Sequence, residues 1–369
     1  MDPILLQKHA DKTPIIVNGL PGKMATDVVK KVLSSVDFRL WQYGLTGPET
    51  KEVAIEIGGN SIFLYKPHEK ARFREISGFI EQEFLTVDFS HPSAVNDNAN
   101  YYCESGMNFV MGTTGGDRPA LEQRVRDSNI CAVIDVNMAP EIVSLRELKQ
   151  NYANTHENQF RKYSLDIKES HQRGKADTSG TAKAMCESYK KMGFDIDMNL
   201  FEEVKRQLKE KNDDITIPLG SNVTFTAIRS LETQRKMGIP EEFLGRHGWH
   251  TYTITSPTDQ FTEQMEELKE QYYRQFFLGN PALKNHYRSL NIDQTRSVSA
   301  DGNIVLETNY DKSGKIRFTH NINGGSVYAD GALDGLRFLR DKVRAGEKGK
   351  VYSMIDVLRE QKKAMTLSE

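Results

Sequence analysis

Residues 13–35, TPIIVNGLPGKMATDVVKKVLSS, constrain the fold more than any other segment. Pro14 precedes a short apolar run, Ile15-Ile16-Val17, which predicts a buried strand. The chain then turns at Gly19 and Gly22, and Val28, Val29, Val32 and Leu33 follow on one face of a helix. Strand, glycine-rich turn and helix open a nucleotide-binding βαβ unit. Gly19-Leu20-Pro21-Gly22-Lys23-Met24-Ala25 is a GxxGxxA variant of the dinucleotide fingerprint. Gly19 permits the tight turn, Gly22 lets the backbone approach a pyrophosphate, and Ala25 keeps the helix close to the sheet. The helix start faces the phosphates, which makes Gly19, Gly22, Lys23 and Met24 candidate cofactor contacts.

The alternation continues. Residues 38–44 read as a second strand, 52–57 and 61–65 as a hairpin, 75–83 as a helix and 84–89 as a strand. A helix at 94–104, a strand at 108–111, a helix at 121–128 and a strand at 130–135 follow. This pattern predicts an α/β chain with a Rossmann-type, doubly wound parallel sheet whose ligands sit just beyond the strand ends. The second half differs: helices at 142–159, 179–191 and 263–277, strands at 162–169, 222–230 and 248–255, a hairpin over 303–321 and a helix at 329–343. The expectation is a dinucleotide-binding domain over 1–138, completed by 329–369, and an α+β substrate and oligomerisation domain over 139–328.

Composition removes several function classes. Lys plus Arg is 49 against 51 Asp plus Glu, a net charge of −2. That balance shows no basic footprint for nucleic acid and no polybasic membrane segment. No apolar run approaches the ~18 residues a membrane span needs. Three cysteines, Cys103, Cys131 and Cys186, without CxxC spacing, argue against a disulfide framework and a structural zinc site; no metal is expected. The opening MDPILLQKHADKTP reads as neither a signal nor a transit peptide, so the expected compartment is the cytoplasm, or the plastid stroma after removal of a transit peptide.

Two segments carry chemistry. The expected end of the second strand, Tyr43-Gly44-Leu45-Thr46-Gly47, holds no Asp or Glu for an adenosine ribose. Nothing there repels a 2′-phosphate, and Lys23 supplies positive charge, so NADPH is expected to be accepted at least as well as NADH. Residues 169–182, ESHQRGKADTSGTA, bring together a His near its neutral-pH range (His171), a cation (Lys175) and a Ser-capped helix start (Ser179). Acid, cation and helix N-terminus suit a small dicarboxylate undergoing protonation. A capped helix with a solvated His and Lys is the structural alternative.

GLPGKM (19–24), VDFS (87–90), VMGTTGGDR (110–118), ESHQRGKADTSGTA (169–182), GIPEEFL (238–244) and MIDVLRE (354–360) resemble 4-hydroxy-tetrahydrodipicolinate reductase, also called dihydrodipicolinate reductase, in its plant-like form. The resemblance covers most of 14–258 and 316–361. It implies NAD(P)H-dependent reduction of a small cyclic imine dicarboxylate in lysine and diaminopimelate biosynthesis, by a homodimer or homotetramer. It implies His171 as general acid and Lys175 as the group that holds and polarises substrate. Ser179, Gly180 and Thr181 would bind a carboxylate, with His320 near the substrate. Asp88, Phe89, Ser90, Gly112, Thr113, Thr114, Gly115, Asn137 and Met138 would line the nicotinamide side of the cofactor site.

Two features depart from the family pattern. Gly325 stands where members usually carry Arg, and residues about 259–302 form an insertion. Met265, Leu268, Tyr272 and Phe276 share one helix face there, which predicts packing on the same domain, with an oligomer contact or a lid as the sharper alternative. Arg274, Lys284, His286 and Arg288 are candidates to replace the missing guanidinium. His247 and His250 have no Asp, Glu or Cys partner at ligand spacing, so zinc is not expected there. A related imine reductase for another cyclic imine acid and a non-catalytic NAD(P)-binding sensor are the alternative functions.

Overall fold

The computed structural model describes residues 12–78, 83–274, 294–298, 304–311 and 313–367. In chain order the first elements are β1 (Thr13–Asn18), α1 (Lys23–Ser34), β2 (Phe38–Leu40), β3 (Tyr43–Leu45), β4 (Ala54–Ile57), β5 (Asn60–Tyr65), α2 (Lys70–Ser77), β6 (Leu85–Asp88), α3 (Val95–Ser105), β7 (Phe109–Met111), α4 (Arg118–Arg126) and β8 (Cys131–Ile134). Next come α5 (Pro140–Thr155), β9 (Ser164–His171), α6 (Gly180–Lys191), α7 (Leu200–Lys211), β10 (Ile215–Pro218), β11 (Val223–Ile228), α8 (Leu231–Lys236), β12 (His247–Thr255) and α9 (Glu263–Tyr273). The chain closes with β13 (Gln294–Val298), β14 (Ile304–Asp311), β15 (Lys315–Asn323), α10 (Ser326–Arg344), β16 (Lys350–Tyr352) and α11 (Met354–Leu367).

Two compact units result, residues 1–143 with 325–369 and residues 144–324. The first carries a six-stranded sheet in the order β16-β8-β7-β6-β1-β2, and every pairing in it is parallel. Its strands are apolar on both faces because both are covered. Ile15, Val17, Val87 and Val133 face α1, α10 and α11; Ile16, Phe109, Ala132 and Ile134 face α3 and α4. This is the doubly wound sheet that the alternation predicts. The expected strand over 38–44 is in fact two: β2 ends at Leu40, and β3 joins a separate sheet, β3-β5-β4. The strand end that follows β1 is therefore Trp41-Gln42, which also lacks a carboxylate.

The second unit is a seven-stranded mixed sheet, β10-β11-β9-β12-β15-β14-β13. Register on its helix-covered face runs in rungs across β9, β12 and β15. Leu165, Ile254 and Ile316 form one rung, and Ile167, Tyr252 and Phe318 the next. Glu169, His250 and His320 form the third. The face turns from aliphatic to aromatic to ionisable over three steps of the pleat, and the polar rung is as buried as the others. The insertion's described helix, α9, sends Met265, Leu268 and Tyr272 into this same core, so its apolar face packs on its own unit. Phe276, Lys284, His286 and Arg288 lie outside the described residues; Arg274 is exposed and pairs with Glu270 at 3.5 Å.

Candidate active site

In the first unit the loops after β1, β6 and β7 meet where the strand order reverses, the usual ligand position in such sheets. Gly19 has φ +96°, and a Cβ there would lie 2.5 Å from the Phe89 carbonyl. A Cβ on Gly22 would lie 2.6 Å from Gly19 O, and one on Gly112 would lie 2.3 Å from the Phe89 ring. Gly19 meets the Phe89 backbone and Gly112 the Phe89 ring, and only glycine allows either approach. Gly22 caps α1 without a side-chain hydrogen bond, and Lys23 is exposed at its first position. Thr113 Oγ1 donates to Ser90 O at 2.9 Å, tying the β7 loop to the β6 loop. A glycine cradle leading into a helix start whose N-cap is Gly22 fits a dinucleotide pyrophosphate.

Three residues expected at this cofactor site are turned inward. Asp88 is fully buried: its Oδ1 accepts from Ser90 N and Oγ at 2.7 and 2.6 Å, and its Oδ2 from Asn98 and Tyr102 at 3.0 and 2.5 Å. It shapes the turn that presents Ser90, and no part of it reaches outward. Asn137 Oδ1 accepts from Ala139 N at 2.8 Å. Met138 is buried, and its carbonyl lies against Gly331 of α10, where a Cβ would come within 1.7 Å. The Asp88 and Asn137 side chains close strand-to-helix turns, and Met138 packs in the core behind them.

In the second unit the β9–α6 turn is built around a buried ion pair. Arg229, just after β11, and Glu169 are both fully buried, with Nη2 2.7 Å from Oε1. The same guanidinium donates to Lys175 O and Asp177 O, both at 3.0 Å, and to Ile228 O at 2.9 Å. Glu169 Oε2 accepts from Ser179 N at 3.0 Å. Arg229 thus fastens both ends of the turn carrying Lys175 to the sheet, with its fork matched to fixed acceptors. Ser179 caps α6, its Oγ accepting from Ala182 N at 3.0 Å, as the Ser-Gly-Thr pattern predicts.

His171 ends β9, nearly buried, and Gln234 fixes its carbonyl at 2.7 Å. Its Nδ1 is buried without a hydrogen-bond partner and lies 3.8 Å from Glu169 Oε1. Burial first, and then the charges of His250, Lys175 and Arg229, hold His171 well below the usual imidazole range. Lys175 is partly exposed and pairs with Asp177 Oδ1. His320, expected near substrate, is 1% exposed; it stacks on His250 at 4.5 Å between ring centroids, and its Nε2 lies 3.4 Å from Tyr252 Oη. It therefore backs the site rather than facing out of it. Lys149 of α5 lies over the Tyr252 ring at 4.2 Å and donates to Tyr189 Oη, and burial holds its amine well below its ordinary value.

The sequence reading missed Glu169, Arg229 and His250. His250 has the carboxylate neighbour that local spacing did not show: potential ligand atoms of Glu169, His171 and His250 all lie within 4.8 Å of one another. The Glu169 carboxylate is spent on Arg229 and Ser179, which makes this a hydrogen-bonded acid–base cluster. His247 points to the opposite face of the sheet, toward Ser170 at 2.9 Å.

The parallel dinucleotide-binding sheet and the family models that match the chain define an NAD(P)H-dependent oxidoreductase. Family models described as dihydrodipicolinate reductase N-terminus and C-terminus match residues 13–138 and 144–358. The chain belongs to the dihydrodipicolinate reductase family, whose members reduce 4-hydroxy-tetrahydrodipicolinate with NADH or NADPH. A probable chloroplastic 4-hydroxy-tetrahydrodipicolinate reductase 2 of Oryza sativa subsp. japonica is 33% identical over 94% of this chain and 83% of its own length. The chloroplastic reductase 1 of Arabidopsis thaliana is 32% identical over 94% and 78%. The enzyme of a Nostoc species is 32% identical over 52% of this chain and 70% of its own. These likenesses favour the reductase over both alternative functions.

Proposed function

We propose that the β9–α6 turn of the second unit holds a cyclic imine dicarboxylate and delivers the proton that completes its reduction. Ser179, Gly180 and Thr181 at the start of α6 bind one carboxylate through the hydroxyl and the helix N-terminus. Lys175 holds and polarises the ring as a point charge. His171 is the general acid. A bound NAD(P)H supplies the hydride, held by Gly19, Gly22, Lys23, Met24, Phe89, Ser90, Gly112, Thr113, Thr114 and Gly115, with Asp88, Asn137 and Met138 shaping those loops from behind.

Reduction of a conjugated imine leaves excess electron density on the ring, and an acid must quench it. In the absence of substrate His171 is neutral at pH 7, since burial and cationic neighbours depress it. A doubly negative ring beside it reverses that balance and draws the proton on. The observation that carries this reading is the buried Arg229–Glu169 pair. It fastens Lys175, Asp177 and Ser179 into one preorganised turn next to His171.

The direct experiment follows NADPH oxidation with the product of dihydrodipicolinate synthase and a panel of other cyclic imine acids. Turnover with the first and little with the rest is expected. Preference for another imine would trace to Gly325, where the family's Arg is missing at the start of α10. The chloroplastic names of the plant relatives support the plastid stroma over the cytoplasm for this chain. A homodimer or homotetramer is the expected assembly, and light scattering measures it.

A further inference from the structure

We infer that His250 is a positioning residue: its Nε2–H donates to Ser179 Oγ and so leaves the Ser179 proton free for a substrate carboxylate. This rests on the assignment of Ser179 as a carboxylate ligand. A serine hydroxyl has one proton and two lone pairs. At Ser179, one lone pair accepts from Ala182 N at 3.0 Å, and His250 Nε2 lies 2.8 Å away. If Nε2 were bare, it would take the hydroxyl proton, and an arriving carboxylate would meet only a lone pair. If Nε2 carries hydrogen, it fills the second lone pair and the hydroxyl proton points to the anion.

Two features of the His250 surroundings fix the tautomer. Glu169 Oε2 lies 3.8 Å from His250 Nε2, and its negative charge favours a proton on that nitrogen. His250 Nδ1 is buried with no hydrogen-bond partner. A bare nitrogen there leaves only an unfilled acceptor, which buried structure tolerates better than an orphaned N–H. The ring is held by stacking on His320 and by the edge of His171 at 5.1 Å. Burial pushes His250 down to about 4, so the imidazole stays neutral across the working range and the tautomer alone decides its role.

The same strand carries the opposite case. His247 Nδ1 faces Phe243 O at 3.0 Å, and a carbonyl can only accept, so this nitrogen carries the proton. The neutral ring's Nε2 is then bare and takes the Ser170 hydroxyl proton at 2.9 Å. The two β12 histidines thus pair with their serines in opposite polarity: Ser170 is locked, and Ser179 is released toward the α6 start.

The test uses the full chain with NADPH, pyridine-2,6-dicarboxylate as probe, and His250→Gln, His250→Met and Ser179→Ala. Gln keeps an N–H donor at the Nε2 position; Met keeps bulk and loses it. His250→Met is expected to weaken probe binding ~10-fold, the scale of one hydrogen bond to a charged group. His250→Gln should stay within about threefold of the parent, with the KM for NADPH unchanged in both. Ser179→Ala should weaken the probe as much as His250→Met, and the double variant no further. Equal losses in Gln and Met, or none in Met while Ser179→Ala binds weakly, overturn the role of His250. Unchanged binding in Ser179→Ala overturns the carboxylate assignment itself. Should His250→Met not fold, imidazole nitrogen chemical shifts of the parent decide: a protonated Nε2 and bare Nδ1 at His250 are expected, and the reverse refutes the inference.

Discussion

The first unit's glycine loops and the second unit's β9–α6 turn are both strand-to-helix connections, yet they are made by opposite means. Around Gly19 and Gly112 the loops touch because side chains are missing, and the buried carboxylate of Asp88 is saturated by neutral donors. Around His171 the turn is held by a fully buried ion pair, and three histidines crowd beside it. The first region recognises by backbone shape. The second recognises by charge and proton placement, and it is the one where single side chains decide chemistry. The dispensability of individual side chains should therefore differ sharply between them.

The largest effect is expected from Arg229→Met. Removing one partner of a buried pair strands Glu169 uncompensated, at a cost of about 3–5 kcal/mol. Chemical denaturation measures it. Adding Glu169→Gln should recover part of the loss; a single Arg229→Met as stable as the parent would show that the turn is not held this way. Next come His171→Gln and Lys175→Ala, each expected to cut kcat ~10²-fold or more while NADPH binding is kept. Parent-like turnover in either would remove that residue from the reaction.

Gly19→Ala probes the other region. Its φ of +96° and the Phe89 backbone 2.5 Å from a new Cβ put strain on the loop itself. A left-handed alanine costs about 1–2 kcal/mol, and NADPH affinity should fall about tenfold. Binding of pyridine-2,6-dicarboxylate by the apoenzyme should not change; loss of both together would mean the variant damages more than its own loop.

The smallest signal is a proton count. His171 has a depressed value in the free protein, so it is uncharged at pH 7; the nearby groups are Glu169, Lys175, Arg229, His247 and His250. A bound dianion raises it, so binding takes up a proton, by up to about one per site near neutrality. Calorimetry in buffers of different ionisation enthalpy reads this number, and His171→Gln should abolish it. Buffer-independent heat in the parent would contradict the acid's assigned state.

What was legible in the sequence was local. The glycine turn shows in one stretch because Val28, Val29 and Val32 follow it at helical spacing, and Ser179 shows as a cap because its partner Ala182 is three residues away. Glu169, His250 and His320 were illegible as a group, since only the register of β9, β12 and β15 puts them on one rung. Arg229 arrives from β11, with no nearby signal that its guanidinium would be buried. The α7 helix had its signal in Phe201, Val204 and Leu208, masked by a dense run of charges. His320, carried over as a substrate neighbour, is buried behind His250, a matter of depth that no linear pattern encodes.

The most direct test of the central claim is a crystal structure with NADPH and pyridine-2,6-dicarboxylate bound. One carboxylate is expected at the start of α6, within hydrogen-bond distance of Ser179 Oγ and Thr181, with Lys175 and His171 against the ring. A dicarboxylate bound elsewhere, with the α6 start left to solvent, would contradict it.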